Sequence, residues 1–157
     1  MPTTLQPLDR RINYRFNQIS HRWSSLVVSM ARKKYKLNPA EMKMLSVIGC
    51  YQPVSPSDLV DRTSSDSPKV ARVVTRLVEE GLIEREQDSA DGRRAVLTVT
   101  KRGAAINQEL DRLSHEVEER VTSVLTADDR KHLEAILDKL DFGVHAVTKD
   151  IAGSRSA

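Results

Sequence analysis

Apolar residues recur at steps of three and four positions along three long stretches of the chain. The first stretch runs from Leu8 to Met30, the second from Ile106 to Val124 and the third from Leu133 to Val147. Such spacing places the apolar side chains on one face of an α-helix, so each stretch predicts a long amphipathic helix. The middle of the chain is too short to cover all three faces, and self-association into a two-fold homodimer is therefore predicted.

The segment between these helices contains shorter elements with clear boundaries. Helix starts are marked by an N-cap residue, in most cases with a proline after it or a carboxylate three positions on, at Asn38-Pro39-Ala40-Glu41, Ser55-Pro56-Ser57-Asp58, Ser67-Pro68, Thr100 and Thr126-Ala127-Asp128-Asp129. Gly81 suits a left-handed helix end, and residues 83–86 and 95–99 predict two short strands. The predicted fold is mainly α with a small β wing, in the order α-α-α-α-β-β-α-α.

Two of these elements form a helix-turn-helix pattern. A short helix ends near Arg62, and three polar residues, 63–65, separate it from the helix that begins at Ser67. In the second helix the positions that periodicity turns inward are Val70, Val73, Val74, Leu77 and Val78. The outward positions, which carry cations and hydroxyl groups, are Ser67, Lys69, Arg72, Thr75 and Arg76. These groups suit phosphates and base edges in a DNA major groove, and a solvated helix face is the alternative.

A charged hairpin follows this helix. Between the two predicted strands the turn ends in Asp91, Gly92, Arg93 and Arg94. Asp91 is expected to pair with one of the two arginines and stabilise the hairpin, while the other arginine reaches a narrow minor groove. A surface turn that contains only a local ion pair is the alternative.

Charge is distributed unevenly along the chain, although the net charge is only +3. Residues 1–36 carry eight Lys or Arg and one acid, residues 37–103 carry ten of each, and residues 104–157 carry seven bases and eleven acids. Because the middle segment is neutral as a whole, a DNA-binding surface there requires its cations to be segregated on one side.

The middle segment also resembles a known family. The run Val74 to Ile83 reads V-T-R-L-V-E-E-G-L-I, and it is followed by Arg85, by the Asp91-Gly92-Arg93-Arg94 turn and by Leu97 to Gly103, L-T-V-T-K-R-G. The D-x-R-R turn and the strand-to-helix junction after it resemble the MarR family of winged-helix transcriptional regulators. The resemblance extends over about residues 8–150, because the flanking helices match the family's dimerisation region in order and length.

The resemblance implies a homodimer that binds a pseudo-palindromic operator in double-stranded DNA, with one predicted helix in the major groove and the wing in the adjacent minor groove. It implies an N-terminal dimerisation helix at 8–36, a winged helix-turn-helix domain at 37–103, C-terminal dimerisation helices at 104–150, and flexible tails at 1–7 and 152–157. Family members usually repress and are released by small phenolic or aromatic acids. The residues expected to contact DNA are Ser57, Ser65, Ser67, Lys69, Arg72, Thr75, Arg76, Arg93 and Arg94.

The first long helix contains candidate effector-binding residues, in the region where ligands of the family typically bind. Arg15 suits a carboxylate, His21 a hydroxyl group and Trp23 an aromatic ring, which together predict a site for a small aromatic acid. Two alternatives stay open. Trp23 also falls on the apolar face and suits the core or a dimer interface, and Arg15 suits a solvated position.

Other chemistries find little support in the sequence. Cys50, the single cysteine, has no flanking cation to activate its thiol and is expected to be buried and inert. The peroxide-sensing branch of the family carries its reactive cysteine in the first long helix, where this chain has none. The four histidines lack metal-ligand spacing, and the sequence shows no nucleophile elbow or glycine-rich loop. Neither an enzyme nor a metal or cofactor site is expected.

A cytoplasmic protein is expected, because no apolar run is long enough to span a membrane, no signal peptide is recognisable and one cysteine allows no intramolecular disulfide. The leading interpretation is a ligand-responsive DNA-binding repressor. Two other interpretations stay open: a winged-helix dimer that acts through protein–protein contacts, and a thiol-based redox regulator that uses Cys50.

Overall fold

The structure, a computed structural model, describes residues 7–87 and 94–154. Its elements, in chain order, are a short 3-10 helix (Leu8–Arg10), α1 (Ile12–Tyr35), α2 (Pro39–Tyr51), α3 (Pro56–Thr63), α4 (Ser67–Glu79), β1 (Ile83–Gln87), β2 (Ala95–Val99), α5 (Lys101–Thr122) and α6 (Ala127–Ser154). The predicted element order and fold class are confirmed. α6 continues to Ser154, into the stretch that the sequence predicts as a flexible tail.

Three of the predicted helix starts have the expected reciprocal caps. The Asn38 side chain accepts a hydrogen bond from the Glu41 backbone N–H, and Glu41 Oε2 accepts one from the Asn38 N–H at 2.8 Å. The same arrangement begins α3 at Ser55 and α6 at Thr126. These local bonds satisfy N–H groups that the first helical turn leaves free, and they fix where each helix begins.

The start of α4 differs by one residue from the sequence prediction. Asp66 is the N-cap instead of Ser67, and its carboxylate accepts from the Lys69 backbone N–H at 2.7 Å. A full negative charge is favoured at the positive end of a helix, which explains why the aspartate takes this place. The turn therefore consists of residues 64–66, with Ser64 in the left-handed conformation at φ 50°. Val78, expected to face inward, is exposed, because it lies at the edge of the buried arc near the helix end.

β1 and β2 pair antiparallel to form the wing, with Ile83 opposite Val99. The loop before α3 adds to this sheet, because Val54 and Leu97 exchange backbone hydrogen bonds of 3.2 and 2.8 Å. Gln52 extends the attachment, since its side-chain oxygen accepts from the Val99 N–H at 2.8 Å. The hairpin is thereby held against the helix-turn-helix.

One hydrophobic core joins the helices of the middle segment to the hairpin. Its largest fully buried side chains are Met44, Leu45, Ile48, Leu59, Val70, Leu77, Leu82, Ile83 and Leu97. Ala31 of α1 and Leu110 of α5 belong to the same core. The inner sides of α1 and α5 therefore pack against the core that the middle helices and the hairpin share.

The turn after α4 is fixed to the start of α5 through three successive carbonyl groups. Arg102 Nη1 donates to the Glu80 carbonyl at 2.7 Å, and Thr100 Oγ1 donates to the Gly81 carbonyl at 2.8 Å. The Thr100 backbone N–H donates to the Leu82 carbonyl at 3.0 Å. Gly81 adopts φ +64°, the left-handed conformation predicted for it. The strand-to-helix junction thus holds the end of α4 in place.

α1 is also attached to α5 by a surface ion network. Lys34 Nζ lies 3.5 Å from Glu109 Oε1, and Arg112 donates to both oxygens of that carboxylate at 3.0 Å. The Arg112 hydrogen bonds, with the charges of Arg112 and Lys34, lower the pKa of Glu109 to about 2. Because the pKa is lowered on folding, the stability from this network is present above the ordinary value of 4.5 and is lost as the pH falls toward 2.

The chain divides into two compact units, one up to Val117 and one from Glu118 onward. In the first unit, α1 exposes apolar side chains at Ile12, Phe16, Ile19, Leu26 and Met30. In the second unit, α6 has no buried residue within its described length, and its apolar stripe is exposed at Leu133, Ile136, Leu137, Leu140, Val144, Val147 and Ile151. Exposed stripes of this length are typical of interaction surfaces. No helix in the described ranges has the length and apolar character needed to cross a bilayer.

We expect Gly103→Ala to lower the free energy of unfolding by about 1–3 kcal/mol, because a Cβ on Gly103 would overlap the Leu82 carbonyl and displace the turn after α4. Gly153→Ala is the matched control, since this glycine is also helical and an added Cβ would have nothing within 4 Å. Its effect should stay below about 1 kcal/mol. Urea unfolding followed by circular dichroism measures both variants. Equal stability of Gly103→Ala and the unmodified protein would contradict the close-approach explanation.

Candidate nucleic-acid interface

α4 separates a buried apolar face from an exposed polar face. Val70, Val74 and Leu77 are at most 2% exposed, and the helix packs against α2, α3 and β1. The predicted DNA contacts on this helix are all exposed, at Ser67, Lys69, Arg72, Thr75 and Arg76. A helix that is held from behind by a core and carries hydroxyl and cationic groups in front fits a DNA major groove.

The three cations of α4 differ in their partners. In the part of the chain that the structure describes, the side chains of Lys69 and Arg72 form no ion pair or hydrogen bond. Arg76 has two carboxylate partners, with its Nε 2.9 Å from Glu41 Oε1 and its Nη2 3.5 Å from Glu80 Oε1. The charges of Lys69 and Arg72 are therefore available to DNA, whereas the charge of Arg76 is partly neutralised.

Glu41 is buried, and its two carboxylate oxygens have different partners. Oε2 accepts from the Asn38 N–H at the start of α2, and Oε1 contacts Nε of Arg76 on α4. A buried carboxylate is costly unless it has hydrogen bonds and a paired charge, and Glu41 has both. The sequence identifies Glu41 only as a helix cap. Its contact with Arg76 depends on tertiary packing and leaves no local signal.

α3 and the turn after it carry two predicted contact residues. Ser57 is exposed, with its Oγ 2.8 Å from Ser55 Oγ, and Ser65 is half-buried, with its hydroxyl 3.5 Å from the Thr63 carbonyl. The same carbonyl accepts from Lys43 Nζ of α2 at 2.7 Å. A cation from α2 therefore caps the C-terminus of α3, where the helix dipole favours positive charge. This role of Lys43 could not be predicted from the sequence, because its partner is a backbone carbonyl and not a recognisable side chain.

The described part of the wing places one of its two arginines near α3. Arg94 is exposed, next to the start of β2. Hydrogen bonds from the Ser55 backbone and hydroxyl hold the pKa of the Asp58 carboxyl below its usual range, and the charge of Arg94 lowers it further. The charges of Arg94 and Arg62 thus both favour the ionised form of Asp58. The predicted DNA contact Arg93 and the predicted stabilising residue Asp91 lie outside the described residues.

A cavity of about 300 Å³ lies between α3, α4 and β1. Its lining residues are Pro56, Ser57, Val60, Ser67, Val70, Ala71, Val74 and Arg85. The apolar side chains offer a surface for a ring, while two hydroxyl groups and the Arg85 guanidinium offer hydrogen bonds and a positive charge. Such a composition fits a small aromatic acid. Arg85 belongs to the sequence signature but was not predicted as a site residue.

The three predicted effector-binding residues are spread around α1. Arg15 and His21 are exposed, and Trp23 is half-buried. His21 and Trp23 are two residues apart and therefore point to nearly opposite sides of the helix, while Arg15 lies about two turns before Trp23. One copy of α1 does not bring the three side chains together, so a common site would require a second element to complete it.

Cys50 is exposed in the last turn of α2, and the expectation of a buried thiol is wrong. Ile48, two residues earlier, faces the core, so the helical rotation turns Cys50 toward solvent. Within the described residues, no group of three or more His, Cys, Asp or Glu side chains is placed to hold a metal ion.

The helix-turn-helix segment lies within the range that a family model matches. The MarR family model matches residues 37–95. The chain is 34% identical over 92 residues to the HTH-type transcriptional regulator BilQ of Clostridium symbiosum, a match that covers 59% of this chain and 61% of BilQ. It is 31% identical over 105 residues to the Multiple antibiotic resistance protein MarR of Escherichia coli strain K12, covering 66% of this chain and 73% of that protein.

The fold also resembles that of the Escherichia coli relative. A solved structure of an Escherichia coli MarR mutant complexed with operator DNA superimposes with a TM-score of 0.73 at 25% identity, covering 87% of this chain and 99% of that chain. The match to the Escherichia coli protein extends over more than two thirds of that regulator. The chain therefore belongs to the MarR family, whose members are DNA-binding regulators of transcription and not enzymes.

Proposed function

We propose that this protein acts in the cytoplasm as a homodimer that binds a pseudo-palindromic DNA operator and represses transcription. The observation that carries the proposal is the division of α4 into a buried apolar face and an exposed face with Lys69 and Arg72, which have no partners among the described residues. α4 enters the major groove and the wing reaches the adjacent minor groove. The structure of the related Escherichia coli mutant was solved in complex with operator DNA, which supports DNA binding by this chain.

In this arrangement the cations of α4 and those of the wing contact different parts of the DNA. Lys69 and Arg72, in the N-terminal half of α4, reach phosphates or base edges. One of the two wing arginines, Arg93 or Arg94, reaches the minor groove. The hydroxyl groups that add hydrogen bonds to the DNA backbone are those of Ser57, Ser65, Ser67 and Thr75.

Removal of the available cations should weaken DNA binding. We expect Lys69→Ala or Arg72→Ala to cost about 1–3 kcal/mol and to relax the sequence preference where the side chain reads a base. Arg93→Ala/Arg94→Ala should lower the affinity at least about tenfold, or ~1.4 kcal/mol. Fluorescence anisotropy with a duplex that the unmodified protein selects from a random library measures these effects. Titrations at two salt concentrations identify phosphate contacts, whose loss reduces the salt dependence.

Lys131→Ala is the matched control for these variants, because it removes the same charge from an exposed position of α6, in the other unit. It should leave the affinity nearly unchanged. Full affinity in all the wing and α4 variants would contradict the docking. If the unmodified protein selects no duplex at all, the interpretation as a winged-helix dimer with protein partners is favoured instead.

We also propose that a second copy of the chain covers the apolar stripes of α1 and α6. The α6 stripe adds nothing to the core of its own unit, where α6 has no buried residue. Burial of apolar surface stabilises an interface by roughly 25 cal/mol per Å², so stripes of several turns on two helices offer a large contact area. A closed two-fold dimer is the commonest assembly that buries the same surface on both copies.

A charge on the α6 stripe should separate the dimer. We expect Leu140→Asp or Val144→Asp to place an unpaired carboxylate in the interface, at a cost of several kcal/mol. Phe142→Asp is the matched control, since Phe142 is exposed on the same helix but two residues from either position and so on the opposite side. Sedimentation velocity over a range of concentrations measures the association state. A stable folded monomer of the unmodified protein would refute the dimer.

We further propose that a small aromatic carboxylate releases the protein from DNA. One candidate site contains Arg15, His21 and Trp23 of α1, and completing it requires a second helix. The other is the cavity between α3, α4 and β1, where Arg85 suits the carboxylate and the apolar wall suits the ring. A ligand in the cavity would lie against the start of α4, because Ser67, a proposed DNA contact, is among the lining residues.

The effector should weaken DNA binding by about 1–3 kcal/mol, the usual size of a coupling free energy. A panel of benzoates and hydroxybenzoates, tested by thermal shift and by anisotropy on the selected duplex, measures the response. Arg85→Ala should abolish the response if the cavity is the site, and Arg15→Ala should do so if α1 is the site. Full sensitivity in both variants would place the pocket elsewhere. No response to any aromatic acid would show that the effector class is wrong.

A further inference from the structure

We infer that Glu41 and Arg76 are a positioning pair that sets the orientation of α4, and that Arg76 influences DNA recognition through Glu41 and does not read a base. The inference rests on the proposed DNA-binding function. It assigns a role in recognition to Glu41, a residue that is only 2% exposed and has no access to DNA.

The geometry of the pair restrains Arg76 from two sides. Its Nε is 2.9 Å from the buried oxygen Oε1 of Glu41, and its Nη2 is 3.5 Å from Glu80, one turn further along α4. The side chain is nonetheless 55% exposed, because the guanidinium lies at the border between α4 and α2. A planar guanidinium whose Nε and Nη2 each contact a carboxylate loses much of its freedom to rotate.

Glu41 is itself fixed, which gives the contact its positioning effect. Its second oxygen accepts from the Asn38 N–H at 2.8 Å and completes the cap of α2. The carboxylate therefore cannot follow a displaced α4 without losing this cap. Apolar burial alone does not define the rotation of a helix, because the hydrophobic effect is non-directional. The ion pair of 2.9 Å between Arg76 Nε and Glu41 Oε1 adds a restraint at one place, because the buried carboxylate favours the orientation of α4 that keeps its paired charge in contact.

The same contacts disfavour a direct base contact by Arg76. Turning the guanidinium toward a base would leave Glu41 buried without its paired charge, which is strongly unfavourable. Lys69 and Arg72 lie nearer the N-terminus of α4 and have no described partner to give up. They are the better candidates for contact with DNA.

Glu41→Gln is the variant that separates positioning from contact. A glutamine at the third helical position still completes a capping box, so α2 should keep its start. The charge is lost, and the glutamine amide presents N–H donors to the Arg76 N–H groups. Glu80→Gln is the matched control, because it removes the weaker, exposed partner of the same arginine.

The measurement is the affinity for two duplexes: one selected by the unmodified protein from a random library, and a scrambled duplex of equal length. We expect Glu41→Gln to bind the selected duplex about tenfold more weakly, or ~1.4 kcal/mol. Affinity for the scrambled duplex and the salt dependence should stay unchanged, because no phosphate contact has been removed. Arg76→Ala and the double variant should lose no more specificity than Glu41→Gln, since residues that act through one contact are not additive.

Arg76→Lys keeps the positive charge but not the planar group with its separate Nε and Nη2 contacts, and it tests the same inference at an exposed position if Glu41→Gln does not fold. It should also lose preference for the selected duplex. Unchanged preference in the folded Glu41→Gln protein, or an Arg76→Ala loss that adds in full to the Glu41→Gln loss, would overturn the inference. A protein that prefers no duplex before mutation would instead refute the proposed function.

Discussion

Burial of the apolar face of α4 is the constraint on which the rest of the structure depends. Val70, Val74 and Leu77 fill the space between α2, α3 and the hairpin, and each buried side chain of this size contributes roughly 1.5–3 kcal/mol. The apolar side of α4 packs against the core. Its other side is exposed and can carry cations and hydroxyl groups that are not needed for packing within the protein. The surface proposed to bind DNA is therefore a consequence of how the core is closed.

Polar contacts supply the direction that apolar packing lacks. Lys43 caps the end of α3, and the Glu41–Arg76 pair joins α2 to α4. Thr100 and Arg102 hold the carbonyl groups of the turn that follows α4. α2 and α5 thus each restrain a different part of the helix-turn-helix. Lys43 of α2 contacts α3, and Glu41 of α2 contacts α4. A small shift of α2 would therefore be transmitted to both helices.

The features that were predicted correctly from the sequence depend on interactions between residues close together along the chain. Periodicity and helix caps are set within a few residues, so the element order, the Asn38 cap and the left-handed Gly81 followed from spacing alone. The misplaced N-cap of α4 arose between two adjacent good capping residues, where the charge of Asp66 decided the outcome. Long-range contacts were different. Neither the Glu41–Arg76 pair nor the exposure of Cys50 has a local signature, because both depend on how the helices rotate in the folded chain.

The division between restrained and unrestrained cations bears on how a ligand could control such a protein. Arg76 is bound to buried and exposed carboxylates, whereas Lys69 and Arg72 are unpaired among the described residues. A ligand that only neutralised a cation in contact with a phosphate would weaken binding to all DNA alike, since phosphate contacts carry no sequence information. A ligand in the cavity beside Ser67 and Arg85 would instead press on the start of α4, whose far end is held by the turn before β1. Specific recognition would then be lost before general affinity, because base contacts need the orientation of α4 and attraction to phosphates does not.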